Sequence, residues 1–375
     1  MKAIISGGGT GGHIFPAIAI ANAIKKRYPD ADILFVGAEG RMEMEKVPAA
    51  GYTIKGLPIA GLQRQLTLGN IVKNLQLPFK MLKSRRKVRK ILNEFKPDIV
   101  VGVGGFASEP TLKAAAAMDY PTLLQEQNSY AGLTNKILAK NARTICVAYD
   151  GMERFFPKDK IVFTGNPVRA EIEDSTITRE EGRQHFGLRQ NSKVILIVGG
   201  SLGARSINEM MIGNLKPSDS IFANNNIQVI WQTGSYMHNQ AVDAVKQTGE
   251  DESVKVHKFI SRMDMAYAAA DIIISRAGAI AISELCLVGK PAILIPSPNV
   301  AEDHQTKNAM ALADKGAAIM VRDNECKEIG IQTAVSLLSD EAKREEMSRN
   351  IKLMARRKAA DSIVDEIEKI LSINN

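Results

Sequence analysis

Two glycine-rich segments are the residues best placed to do chemistry. Ser6-Gly7-Gly8-Gly9-Thr10-Gly11-Gly12-His13 follows the apolar start Lys2-Ala3-Ile4-Ile5, and Gly199-Gly200-Ser201-Leu202-Gly203-Ala204 follows the apolar run Val194–Val198. Each sits where a buried strand hands over to a helix. Glycine lets the chain turn tightly and approach a ligand closely. The helix that follows offers unpaired N–H groups and a partial positive charge to a phosphate. Two such turns, one in each half of the chain, predict a phosphate-bearing ligand in a cleft between two domains.

His13 is the unusual member. At the ligand end of a sheet, in the first helical turn, a histidine can take a proton from an attacking hydroxyl; the plainer reading is a cap beneath the turn. Gly102-Val103-Gly104-Gly105-Phe106-Ala107-Ser108 is a second strand-end turn in the same half. With Gly9, its residues Gly104, Gly105 and Ser108 are candidates to cradle a diphosphate. Gln125-Glu126-Gln127-Asn128-Ser129 crowds five polar residues onto another strand end. Glu126 is a second catalytic candidate, or else the cap of the next helix. Gly7, Gly9 and Gly12 match G-x-G-x-x-G, yet nothing acidic follows the second strand until Glu39, which disfavours a nicotinamide dehydrogenase.

Gly199-Gly200-Ser201-Leu202-Gly203 also fits G-x-S-x-G, so a serine hydrolase competes, with Asp271, Asp303 and His304 available downstream. Thr10 holds the hydroxyl position of the first turn, and a shared phosphate role explains both turns where a nucleophile explains one. In Ile272–Glu284 a strand, a small-residue turn and a helix present amides to a phosphate, with Glu284 able to accept from sugar hydroxyls. Glu302-Asp303-His304-Gln305 adds polar groups at the next strand end. Asp30-Ala31-Asp32 reads as a surface turn, and the five histidines lack metal-ligand spacing, so neither metal nor cofactor is expected.

The elements that must position these residues alternate. Strands are predicted at Ile33–Val36, Ile99–Val103, Thr122–Gln125, Thr144–Val147 and Lys160–Phe163, with helices at Ala17–Arg27 and Val72–Phe95. The scheme restarts with strands at Val194–Val198, Gln228–Gln232, Lys255–Phe259, Ile272–Ser275, Ala292–Pro296 and Ala318–Val321. The helices expected among these are Ala204–Ile212, Met263–Ala270, Ile280–Val288, Gln305–Lys315 and Lys327–Leu338. Alternation predicts an α/β protein with parallel sheets. The restart near Gly165-Asn166-Pro167-Val168-Arg169 marks the domain boundary, and 375 residues suffice for two cores. Three scattered cysteines argue against a disulfide framework and for a reducing cytoplasm. Neither a signal peptide nor an apolar run of membrane-spanning length is read.

Charge is unevenly placed: residues 1–165 carry a net +11 and residues 166–375 a net −3. Residues 61–96 hold ten basic side chains against Glu94 alone, interleaved with leucines and other apolar residues. That mixture suits an anionic membrane surface or, equally, a core-facing helix with a basic outer face. Nucleic acid is disfavoured, because few aromatics are present there to stack on bases.

Gly8–Pro16, Gly104–Ser108, Glu126–Lys136, Gly165–Arg169 and Gly199–Arg205, in this order, resemble the MurG family across nearly the whole chain. These transferases move N-acetylglucosamine from UDP-GlcNAc to lipid I, the undecaprenyl-diphosphate-linked muramoyl pentapeptide. The resemblance implies the GT-B architecture of two Rossmann-like domains facing across a cleft: residues 1–164 on the acceptor and membrane side, rejoined by a last helix at 360–375, and residues 165–359 binding UDP-GlcNAc. It implies an inverting mechanism without metal, at the cytoplasmic face of the membrane. By the same resemblance Ile260 meets the uracil through its backbone, Ser201 the phosphates, and Ala279, Ile280, Ala281, Ile282, Ser283 and Glu284 the phosphate and ribose. Gln305 touches the sugar, and Thr10, Gly11, Gly12, Asn128 and Arg169 complete the donor site. This chain departs from the family at Phe106, where tyrosine is usual, at Glu109, where glycine is common, and at His304, where glutamine is frequent.

Overall fold

The computed structural model describes residues 1–59, 77–216 and 220–373. The chain forms two compact units, Met1–Val168 with Lys358–Asn375, and Arg169–Arg357.

Unit 1 holds seven strands: β1 (Lys2–Ser6), β2 (Asp32–Ala38), β3 (Thr53–Leu57), β4 (Ile99–Gly102), β5 (Thr122–Glu126), β6 (Thr144–Val147) and β7 (Ile161–Phe163). They pair in the order β3-β2-β1-β4-β5-β6-β7, all parallel. Side chains alternate across a strand, and here both faces are apolar because both are covered. Ile4, Val36, Val100 and Leu124 pack on one face with the helices Leu77–Phe95 and Ser108–Ala116. Ala3, Ile5, Phe35 and Val101 pack on the other. There they meet the helix Gly11–Arg27 and Ile363, Val364, Ile367 and Ile370 of the helix Ala359–Ile373. That last helix is pinned by Tyr28 donating to Glu368 (2.6 Å) and by Arg27 to Asp365 and Glu368.

Unit 2 repeats the plan with β8 (Lys193–Val198), β9 (Ile227–Gln232), β10 (Val254–His257), β11 (Ile272–Ser275), β12 (Ala292–Leu294) and β13 (Ile319–Met320), ordered β10-β9-β8-β11-β12-β13 and again parallel. Ile195, Ile197, Trp231 and Ile274 face the helices Arg205–Asn214 and Cys326–Ser339. Val194, Leu196, Ile230 and Ile273 face Met263–Ala269, Ala279–Val288 and His304–Ala313.

Two differences from the sequence expectation are informative. β3 is an additional strand; its side chains run from exposed through half-buried to buried, the pattern of an edge strand with no clean alternation. The helices His238–Thr248 and Glu341–Leu353 are also additional, and each buries only two residues (Ala241 with Val245, Met347 with Ile351), too few to show a periodic stripe.

In both sheets the strand order reverses beside the first strand, between β1 and β4 and between β8 and β11. Ligands of such sheets bind outside the carboxyl ends at that switch point. The opposite edge of unit 2 is locked by Asp271. Its carboxylate accepts from the Val194 N–H (2.7 Å), from Arg179 (2.9 Å) and from Arg183 (2.9 Å), whose side chain is fully buried. Asp271→Ala should strand that guanidinium without its countercharge and cost about 3–5 kcal/mol. Urea unfolding followed by the Trp231 fluorescence checks this, since Trp231 lies in the same sheet.

Candidate functional site

At the switch point of unit 1 the turns after β1 and β4 touch backbone to backbone. A Cβ on Gly105, where φ is +81°, would land on the Gly8 carbonyl oxygen. Gly104 (φ +90°) lies under the His13 ring, so that a Cβ there would sit 3.0 Å from His13 Cε1. His13 is partly buried in the first turn of its helix. Its Nδ1 stands 3.0 Å from Gln127 Oε1, at the end of β5. Thr10 is the exposed N-cap residue in extended conformation, with Gly11 half-buried and Gly12 exposed beside it. No side chain caps this helix start.

Several residues singled out in the sequence do structural work here. Both oxygens of the buried Glu126 are engaged: Oε1 accepts from the Asn128 N–H (3.0 Å) and side-chain amide (3.2 Å), and Oε2 from the Gly132 N–H (3.0 Å) and Asn135 Nδ2 (2.9 Å). It folds the loop that carries Asn128. Ser108 is fully buried and donates to the Gly105 carbonyl (2.9 Å), so its hydroxyl closes the second turn. The Gly9 N–H donates to Glu43 Oε2 (3.0 Å), so that amide is turned into the protein. Glu43, 1% exposed, also accepts from the Ala38 N–H (3.0 Å) and thereby ties the first turn to the end of β2. The sequence did not single out Glu43 or Gln127: the former is one of two acids in the first turn of a short helix, the latter one amide in a run of five polar residues.

In unit 2 the turn after β8 repeats the device. A Cβ on Gly203 (φ +82°) would collide with the Thr233 carbonyl, and one on Gly234 with the Leu202 carbonyl. Ser201 and Leu202 are exposed at the tip. Among the described residues Ser201 hydrogen-bonds no histidine or carboxylate, and Asp271 is committed to Arg179, Arg183 and Val194 at the other end of the strands. Among the described residues no hydrogen-bonded serine–histidine–carboxylate triad is assembled at Ser201. Gln232 bridges two parts of the edge: its Nε2 donates to the Gly200 carbonyl (2.9 Å) and its Oε1 accepts from the Ile260 N–H (2.8 Å). The sequence reading had no signal for Gln232.

The helix Ala279–Val288 begins at Gly278, with no side-chain cap, so the amides of Ala279, Ile280 and Ala281 are unspent within the helix. The first bond of this turn runs from the Ile282 N–H to the Gly278 carbonyl, and Ser283 donates back to Ala279. Glu284 is 5% exposed. Its Oε1 accepts from Arg169 Nε (3.0 Å) and Nη2 (2.9 Å), its Oε2 from the Tyr267 hydroxyl (2.9 Å). Burial pushes the Glu284 carboxyl above its ordinary range, while the Arg169 charge and the Tyr267 bond pull it back. Gln305 Oε1 accepts from the Ser297 N–H (2.9 Å), which turns its amide nitrogen outward from that loop. The preceding residues Glu302 and Asp303 both take left-handed φ values of +55° and +52°, a constrained entry for non-glycine residues.

The sequence-identified region 61–96 is described only from residue 77. The helix Leu77–Phe95 exposes Phe79 (78%), Leu82 (52%), Lys83, Arg86 and Lys90. Arg85 instead bonds Glu109 (3.0 Å) and Lys87 bonds Glu39 (2.9 Å), so two of the central cations are paired within the unit. Among the described residues no helix is long and apolar enough to cross a membrane, and no group of three or more His, Cys, Asp or Glu could hold a metal ion.

Comparison with known proteins gives a consistent picture. Residues 3–147 match the glycosyltransferase family 28 N-terminal domain and residues 194–363 its C-terminal domain. A Parabacteroides distasonis protein is 57% identical over 370 residues, covering 99% of this chain and 98% of the relative. It is named UDP-N-acetylglucosamine–N-acetylmuramyl-(pentapeptide) pyrophosphoryl-undecaprenol N-acetylglucosamine transferase. A Bacteroides thetaiotaomicron protein of the same name is 53% identical over 375 residues, covering 100% of this chain and 99% of its own. The crystal structure of Acinetobacter baumannii MurG superposes with a TM-score of 0.77 at 28% identity, over 98% of this chain and 99% of that one.

The anchoring of the first turn is directly testable. Glu43→Ala leaves the part-buried Gly9 N–H and the buried Ala38 N–H without this acceptor and should destabilise unit 1 by about 2–4 kcal/mol. Amide exchange at Gly9 should rise in parallel, measured by hydrogen exchange against wild type.

Proposed function

The chain belongs to glycosyltransferase family 28, and from that premise we propose that it transfers N-acetylglucosamine from UDP-GlcNAc to the C4 hydroxyl of the muramyl sugar of lipid I, yielding lipid II and UDP. The observation that carries the reading is the pair of glycine turns at the switch points of two parallel sheets, with a histidine on only one of them.

Unit 2 is the donor side. The Ser201 turn and the uncapped amides of Ala279–Ala281 meet the UDP phosphates. The Ile260 N–H is spent on Gln232, so the Ile260 carbonyl is the backbone group left for the uracil. Glu284 accepts from the ribose hydroxyls, and Arg169 and Tyr267 hold its carboxylate in place for that. Gln305 offers its amide nitrogen to the sugar. Unit 1 is the acceptor side, where Gly104 and Gly105 bring bare backbone to the acceptor diphosphate, while its residues Thr10, Gly11, Gly12 and Asn128 complete the donor site.

The acceptor hydroxyl attacks C1 of the GlcNAc from the face opposite UDP, which inverts that centre. The new C1–O bond forms as the bond to the diphosphate breaks. His13 takes the hydroxyl proton. The charge that develops on UDP is met by the helix amides and by Arg169, whose Nη1 is not used by Glu284. Glu126 acts by holding the Asn128 loop.

The exposed apolar and basic face of the helix Leu77–Phe95 is read as the part that rests on the cytoplasmic face of the membrane, where the lipid carrier is anchored.

Incubation with labelled UDP-GlcNAc and lipid I should give a labelled lipid product; its absence would refute the proposed reaction. His13→Ala should lower kcat by about 10²–10⁴-fold and leave UDP affinity unchanged. Replacing Lys83, Arg86 and Lys90 by glutamine should weaken binding to anionic vesicles roughly 100-fold, at about 1 kcal/mol per charge. Sedimentation with vesicles at low and high salt measures it.

A further inference from the structure

A histidine can serve as a base only through a nitrogen that carries a lone pair, so the position of its resting proton matters. In this protein that position is dictated by backbone carbonyls that act through the intervening side chain of Gln127. Gln127 is 1% exposed. Its Nε2 faces three acceptors: the Val103 carbonyl (2.8 Å), the Gln125 carbonyl (3.3 Å) and Gln125 Oε1. Carbonyl oxygens only accept, so the NH₂ end of Gln127 must lie on that side. Turning the amide over would set its oxygen against three others. The Gln125 side chain is fixed in the same way. Its Nε2 donates to Asn166 Oδ1 (2.9 Å), and Asn166 Nδ2 donates to the Gln127 carbonyl (3.0 Å). The chain of amides therefore has one consistent direction, anchored at both ends on main-chain oxygens. Its last member presents Gln127 Oε1 to His13 Nδ1 at 3.0 Å, an acceptor that requires a proton on Nδ1.

We infer that Gln127 is a positioning residue that holds neutral His13 in the Nδ1–H tautomer and so keeps the lone pair on Nε2. The inference rests on the reading of His13 as the base. In the reaction Nε2 takes the proton of the acceptor hydroxyl, and the resulting imidazolium keeps its Nδ1–H on Gln127. An unrestrained neutral imidazole in water favours the opposite tautomer, so this amide changes which nitrogen can act.

The test is ¹⁵N NMR of the full-length protein labelled at histidine, with the His13 signals assigned by their loss in His13→Ala. Wild type should show a protonated Nδ1 and an unprotonated Nε2 above the His13 pKa. Gln127→Leu should move the proton to Nε2 and lower kcat roughly 10- to 100-fold, within the span that a positioned base supplies, with KM for UDP-GlcNAc unchanged. A wild-type proton on Nε2, or a Gln127→Leu protein with unchanged tautomer and kcat, overturns the inference. If Gln127→Leu fails to fold, the wild-type spectrum alone decides. Full activity of His13→Ala together with the expected wild-type tautomer would instead refute the role of His13 as base and leave the amide chain standing.

Discussion

The structure depends on two places where main chain meets main chain without a side chain between. In unit 1, Gly105 abuts the Gly8 carbonyl; in unit 2, Gly203 abuts the Thr233 carbonyl. Any Cβ would push these turns apart, and each contact joins loops from two different strands at the carboxyl edge of its sheet. Gly104 supports the His13 ring, the first turn is tied back by Glu43, and the Ser201 turn is tied through Gln232 to Ile260. A phosphate-binding edge needs short, bare backbone, and bare backbone is floppy unless something braces it. Here the bracing comes from buried carboxylates and amides set behind the glycines.

That division explains what was legible in the sequence. The continuous apolar runs Ile99–Val101 and Val194–Ile197 announced buried parallel strands, and glycines after them announced turns that approach a ligand. The restart of the alternation announced a second sheet. The braces were silent, because a residue such as Glu43 or Gln232 acquires its meaning from a partner 28 to 34 positions away. Ser108 and Glu126 read as ligand groups for the complementary reason. Polar residues at a strand end can turn toward solvent or toward the backbone, and spacing does not distinguish the two. Edge strand β3 and the sparsely buried helices escaped because little of their surface is apolar.

The departures at Phe106 and Glu109 also gain a physical setting. Phe106 lies against Gly9, and Arg41 sits 5.9 Å from its ring centroid. Glu109 takes Arg85 and Lys113 on one oxygen, at 3.0 and 2.8 Å. An acid in that place draws a cation of the basic helix inward to the second glycine turn. Part of the charge of the helix is thus paired with carboxylates of the unit, which a count of lysines and arginines does not reveal.

The helix Ala359–Ile373 completes the apolar face formed by Ala17, Ile20, Ala21 and Ile24, although nearly the whole of unit 2 separates them in the chain. During synthesis that face waits uncovered while residues 169–357 are made. At about 5–20 residues per second the delay is roughly 10–40 s. The unit that begins first therefore acquires this part of its apolar cover only after unit 2 has been made.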